Sequence, residues 1–171
     1  MKKKIVIIGL MVIIVFAIII FNISKSGLSK IKLSAFINEY NILIQENINQ
    51  NIKIGVPKES DKDGATYWVK LNNELDLGLT TDSNSGTLDL NKNNISISSI
   101  RYPKNIFNYT EIDKYLYYLI KVNNNKLKDK DITEIINKLR KNINKEVAVE
   151  NLFISHTNDL YQIDSIGRYE K

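Results

Sequence analysis

The spacing of apolar residues changes character several times along the chain, and each change marks an element. Ile5 to Phe21 contains no polar side chain, and the uncharged stretch continues to Ser24. At about 1.5 Å per residue, a helix of about 20 residues crosses a hydrocarbon core of about 30 Å. Residues 1–24 therefore read as an N-terminal transmembrane anchor. Ser24 and Ser26 with Gly27 following form a small-x-small pattern, so a secretory signal is the alternative, although signal cores usually span only about 7–15 apolar residues. Residues 25–32 form a basic linker, and residues 33–171 form the domain that follows.

The next pattern is helical. Leu33, Phe36, Ile37, Tyr40, Ile44 and Ile48 recur at three and four residues, giving one apolar stripe with Ser34 as the expected N-cap. Ile52, Ile54 and Val56 alternate up to Pro57 and predict a short strand, and the charged stretch from Pro57 to Ala65 predicts an exposed loop.

From Tyr67 to Tyr102 the period drops to two. Tyr67, Val69 and Leu71, then Leu75, Leu77 and Leu79, then Leu88 and Leu90, then Ile95 and Ile97 predict a four-strand meander. A one-residue slip would turn every side chain to the other face, so the alternation also predicts register: Leu79 opposite Leu90, and Leu90 opposite Ile95. The apolar phase jumps between Ile97 and Ile100, which predicts a β-bulge near Ser98 and Ser99.

Helical spacing returns in Ile112, Tyr115, Leu116, Leu119 and Ile120, and again in Ile132, Ile135, Ile136, Leu139 and Ile143. Thr110 with Asp113 and Asp131 with Glu134 read as capping boxes. Val147 to Ser155 and Leu160 to Ile166 read as two strands around a turn at His156 to Asp159. No internal sequence repeat is evident. Strands and helices come in runs, so the fold class is α+β: one antiparallel meander packed against helices, rather than a parallel α/β sheet.

Charge changes the picture in one respect. The net charge of +5 is what a nucleic-acid-binding protein would show, but six of the 24 basic residues precede Leu33 and no acidic residue precedes Glu39. The remaining 18 basic residues face 19 acidic ones, so the basicity belongs to the membrane flanks and no nucleic-acid partner is expected. Lysines 2 to 4 and the N-terminal amine place the N-terminus in the cytoplasm and residues 33–171 outside, as a single-pass bacterial membrane protein. The bilayer, met through residues 5–24, is then one partner. The absence of cysteine removes disulfides, thiolate ligands and a thiol nucleophile.

Candidate chemistry is sparse. Glu59, Asp61, Asp63 and Gly64 begin like a calcium loop, but Lys70 stands where the bidentate carboxylate belongs, so a solvated turn is the better reading. His156, the one histidine, lies beside Ser155 and near Asp159; adjacency in a turn does not give a hydrolytic triad, so it reads as a polar turn residue whose replacement by Ala would leave activity intact. Glu74, Asp76 and Asp89 lie on the polar face of the meander, and no phosphate loop or dinucleotide fingerprint occurs. No cofactor and no metal site is expected.

The candidate interaction surface is the aromatic helix: Tyr117 and Tyr118, flanked by Lys114 and Lys121, project away from the apolar stripe. Packing beneath the terminal hairpin or against the second helix, completing the fold, is the competing reading for both tyrosines. The chain is thus expected to be a membrane-tethered extracytoplasmic module that binds a protein partner, in the manner of an immunity or inhibitor protein, and not an enzyme. The alternatives are an envelope hydrolase using surface carboxylates and a structural accessory of a membrane complex.

Overall fold

A computed structural model describes residues 31–51, 53–55, 66–81, 89–104 and 109–165, with Ser165 described by its backbone alone. In chain order the elements are helix α1 (Leu33–Asn47), strands β1 (Thr66–Lys70), β2 (Asp76–Thr81) and β3 (Ile95–Arg101), helices α2 (Tyr109–Asn123) and α3 (Asp129–Lys141), and strands β4 (Glu146–Val149), β5 (Leu152–His156) and β6 (Leu160–Ser165). The fold is α+β. Its sheet has the order β1-β2-β3-β6-β5-β4, and every neighbouring pair is antiparallel. The residues expected to form the membrane anchor lie outside those described, and no described helix is long and apolar enough to cross a membrane.

The sheet consists of two three-strand meanders joined through β3 and β6, each meander preceded by a helix. Exchanging β1–β3 with β4–β6 leaves the strand order and directions unchanged, so the topology has a local twofold near the Ser99–Gln162 pair. The sequence carries no sign of it, because topology repeats here without residue identity. Core-facing positions still correspond. By register Leu77 matches Ile154, Ile100 matches Ile163, and Leu79 matches His156.

Period-two alternation puts Tyr67, Leu77, Leu79, Ile100, Tyr161, Ile163 and Ile154 on the inner face, all buried beneath the helices. Leu33, Phe36, Tyr40 and Ile44 of α1 complete this core, and the Tyr40 hydroxyl donates to the Tyr115 carbonyl at 3.0 Å. Each fully buried large apolar side chain contributes about 1.5–3 kcal/mol relative to exposure. The opposite face carries Trp68, Gly78, Ser99, Arg101 and Gln162. A side chain on Gly78 would come within 2.8 Å of the Trp68 ring, which explains a glycine inside this strand. Arg101 stacks 4.0 Å from that ring's centroid.

Several expectations need correction. Leu90 is not in a strand. Residues 89–93 form a turn in which the Asp89 carboxylate accepts from the Asn91 and Lys92 amides, and the Asn93 side chain accepts from the Asp89 amide. The turn's carbonyls then close the start of α1, since Leu33 N donates to Asn93 O and Ser34 N to Leu90 O, both at 2.9 Å. Ser34 is therefore no N-cap; Lys32 holds that position without a side-chain bond. Main-chain acceptors here do what a capping hydroxyl does elsewhere. Leu79 faces Tyr67 and Ser98, and Ile95 faces Thr81.

The β-bulge exists but falls earlier than expected, at Ser96, where the register shifts between Thr80 and Thr81. Ile95 and Ile97 therefore lie on opposite faces. Residues 53–55 form no strand, because the Asn41 amide satisfies both backbone groups of Ile54, at 2.7 and 3.0 Å. Val147 to Ser155 is two strands, split at Glu150, which adopts a left-handed φ of 47°. Helix α3 starts two residues before Asp131, and Thr110 lies inside α2. The loop expected over 57–65, Leu88 and the turn at Ser83 to Gly86 lie outside the described residues.

Candidate functional site

Helix α2 directs Ile112, Tyr115, Leu116, Leu119, Ile120 and Val122 into the core. Tyr117 and Tyr118 fall on the remaining arc and stay half-buried, packed against that core from outside. Their rings meet edge to face with centroids 5.0 Å apart. Together with Asp113 and Lys114 of α2, and Thr133, Ile136 and Asn137 of α3, they line an open groove of about 300 Å³.

The charges around this groove are unevenly answered. Arg140 chelates Asp113, with Nε 3.0 Å from Oδ1 and a second guanidinium nitrogen on Oδ2. Lys121 lies outside the groove lining. Its ammonium sits 2.8 Å from Asp129 and 5.6 Å from the Tyr117 ring centroid. The bond to Asp129 raises the Lys121 pKa and lowers that of the carboxyl, while burial is the first cause raising the Tyr117 phenol. Lys114 is exposed and makes no ion pair among the described residues. The structure thus brings Lys114, Tyr117 and Tyr118 to one groove and leaves Lys121 beside it. Both tyrosines pack against the core and share a groove with the neighbouring face of α3, as the competing reading of packing against the second helix expects in part, and both stay half-buried.

A second polar group was missed by sequence reasoning. His156 is not a turn residue: it ends β5 on the inner face and is 1% exposed. Its Nδ1–H donates to the Leu139 carbonyl at 3.0 Å, and its Nε2 accepts from the Tyr102 hydroxyl at 2.5 Å. The ring stacks on Tyr161 at 4.0 Å and 14°. Both nitrogens are therefore used by the neutral ring, and burial lowers its pKa. Strand alternation alone would have placed His156 in phase with Leu152 and Ile154, which is the signal available in sequence.

The other candidates disperse. Ser155 and His156 are consecutive in a strand, so they point to opposite faces and cannot act on one atom. Asp76 is held by Lys70 at 2.8 Å and Arg101 at 3.0 Å; these partners, against burial as the largest opposing influence, leave its pKa lowered. Asp89 is engaged in its turn at the opposite end of the sheet. The acidic residues from Glu59 to Asp63 lie outside the described residues, and among those described no group of three metal-ligating side chains converges.

No protein-family model matches this chain, and searches of curated proteins and of solved structures found no match.

Proposed function

We infer that this chain is a protein-binding module presented outside a bacterial cell from a single N-terminal membrane anchor. One observation carries the reading. Helix α2 has a complete core stripe without Tyr117 and Tyr118, yet both rings are held at fixed geometry in an open groove with apolar and polar lining. Tyrosine suits such a site, offering a large apolar area at small entropic cost and a hydroxyl that accepts either water or a partner. Lys114 adds a cation that makes no ion pair among the described residues. An immunity or inhibitor role fits this arrangement, because such a protein works by occupying another protein's surface.

The test is affinity capture from solubilised membranes with the full chain as bait. A stoichiometric partner recovered by the wild type, and lost with Tyr117→Ser and Tyr118→Ser while the melting profile stays cooperative, supports the reading. A partner retained by that variant moves the interface elsewhere. Absence of any partner overturns the binding-module reading.

A further inference from the structure

Lys114 lines two grooves. On its α3 side lies the groove of Tyr117 and Tyr118; on the other side α2, the end of α1 and the β1–β2 turn surround an open cleft of about 500 Å³. Helical spacing explains why one residue serves both, because side chains three and four positions apart share a face. Glu111, Lys114 and Tyr115 form one such set, and Lys114, Tyr117 and Tyr118 form the next. Lys114 therefore stands on the ridge between the two hollows.

The second cleft is lined by amides rather than rings. Asn72 serves the fold: its Oδ1 accepts from the Glu74 and Leu75 amides, each at 2.8 Å, and its Nδ2 donates to Glu111 at 2.9 Å. Asn49 gives its Oδ1 to the Asn51 amide at 2.9 Å and keeps its Nδ2 as a donor. Asn73 and Lys114 are exposed and make no hydrogen bond or ion pair among the described residues. Tyr115 floors the cleft. Its hydroxyl, beside Asn72 and Glu111, is buried with no hydrogen-bond partner among the described residues. Burial first and Glu111 second raise the phenol pKa against the opposing Asn72 amide, so the hydroxyl keeps its proton and is a donor. A buried donor with nothing to bond costs stability, and an acceptor brought by a partner removes that cost.

The lining also restricts the occupant. Its two charged residues, Lys114 and Glu111, cancel, so the cleft gives no preference to an ion. What remains is a mixture of donors at Asn49, Asn73, Lys114 and Tyr115 with acceptors at Asn73 and Glu111. A peptide main chain offers the complementary mixture, one N–H and one C=O from each residue. A partner helix does not, because its main-chain groups are spent internally except at its ends. Reach agrees as well. From Glu111 to Tyr118 the helix rises about 10 Å, the span of about three extended residues.

We propose that the two grooves form one track across α2 that takes an extended segment of the partner protein. The main chain of that segment lies in the amide-lined cleft, and an apolar side chain enters the groove of Tyr117 and Tyr118. This rests on the protein-binding reading above and adds the form in which the partner is held.

The test uses the full chain in detergent-solubilised membranes. The chain has no cysteine, so Asn73→Cys in the amide-lined cleft and Asn137→Cys on the α3 wall of the tyrosine groove each carry a single benzophenone label. Irradiation and mass spectrometry then map where each label attaches. Both are expected on one partner, within about six residues of each other. Tyr115→Phe, added to the Asn137→Cys chain, should lower cross-linking roughly fivefold, the effect of about one hydrogen bond. Its melting temperature should not fall, since the oxygen removed has no partner within the fold. Attachment from one position only, or at distant segments of the partner, overturns the shared track; attachment from position 137 alone leaves the protein-binding reading standing. No protein attached from either position overturns both. A glycan attached at position 73 assigns the cleft to carbohydrate and overturns the proposal. So does a Tyr115→Phe chain that melts earlier or cross-links as well as its parent.

Discussion

Two aromatic groups rest on the same pair of helices and end differently. Tyr102, His156 and Tyr161 gather where α3 finishes, with ring centroids 4.0–6.2 Å apart and the hydrogen-bonding atoms of the histidine answered by Tyr102 and Leu139. Tyr117 and Tyr118 gather along the groove between α2 and α3, with similar ring packing but open space beside them. In the first group the polar atoms of Tyr102 and His156 are matched inside the fold, whereas the Tyr161 hydroxyl is buried with no hydrogen-bond partner among the described residues, which costs stability. In the second the rings are positioned by the fold but not consumed by it. Aromatic content is common to both; closure tells a structural cluster from a surface available to a partner.

The largest effect that would break this contrast is the loss of Tyr161. Its ring contacts both His156 and Tyr102 and is fully buried, so Tyr161→Ala should destabilise by about 3–5 kcal/mol. A fall in melting temperature of roughly 10 °C or more is expected for a domain of this size. A fall of only one or two degrees would mean that the cluster is not structural. His156→Ala should follow, at about 2–4 kcal/mol, because it leaves a cavity, removes the nearer partner of the Tyr102 hydroxyl and leaves the Leu139 carbonyl with the Asn142 amide alone. This loss of stability is separate from the expectation drawn from sequence that the substitution leaves activity intact. Calorimetry on the purified variant measures it.

The groove side of the contrast predicts the reverse balance. Tyr117→Ser with Tyr118→Ser removes half-buried rings, so a stability loss of about 1–2 kcal/mol is expected together with loss of partner capture. A loss as large as that of Tyr161→Ala would assign both rings to the core and leave the groove without a role.

Most of the elements are readable in the sequence, and the reasons for the failures are specific. Helices α2 and α3 and strands β1 and β2 follow from periodicity, because each buries a single face. The turn at Glu150 was hidden because a left-handed residue there is neither glycine nor asparagine, and Asn124 holds it from a distant element. Leu88 and Leu90 resembled a strand because apolar alternation does not record whose backbone a turn will cap. The cap on α1 is made by carbonyls 56 and 60 residues away, between Ser34 and Leu90 and between Leu33 and Asn93. Tyr117 and Tyr118 stand out in the sequence as candidates because they are surplus to a helical stripe. The groove beside them was not, since it needs the neighbouring face of α3 as its other wall.

The smallest expected effect is a pH dependence confined to the closed cluster. His156 is neutral in the folded chain, with burial as the first cause lowering its pKa and the Leu139 carbonyl partly opposing it. The unfolded chain therefore takes up this proton first as the solution is acidified. The stabilisation is complete above the ordinary histidine value of 6.5 and is lost as pH falls from there through the lower folded value. Paired carboxylates such as Asp76 add their own acid dependence, but their lowered pKa places it in more acidic solution. The difference between wild type and His156→Gln isolates the imidazole, since glutamine offers a donor and an acceptor but does not titrate. Melting temperatures measured from about pH 8 down to about pH 5 should show the wild type losing stability relative to the variant below the ordinary histidine range. Parallel curves would mean that His156 binds its proton equally well in both states. The closed cluster would then be no more sealed from solvent than the groove, and the distinction between the two aromatic regions would fail.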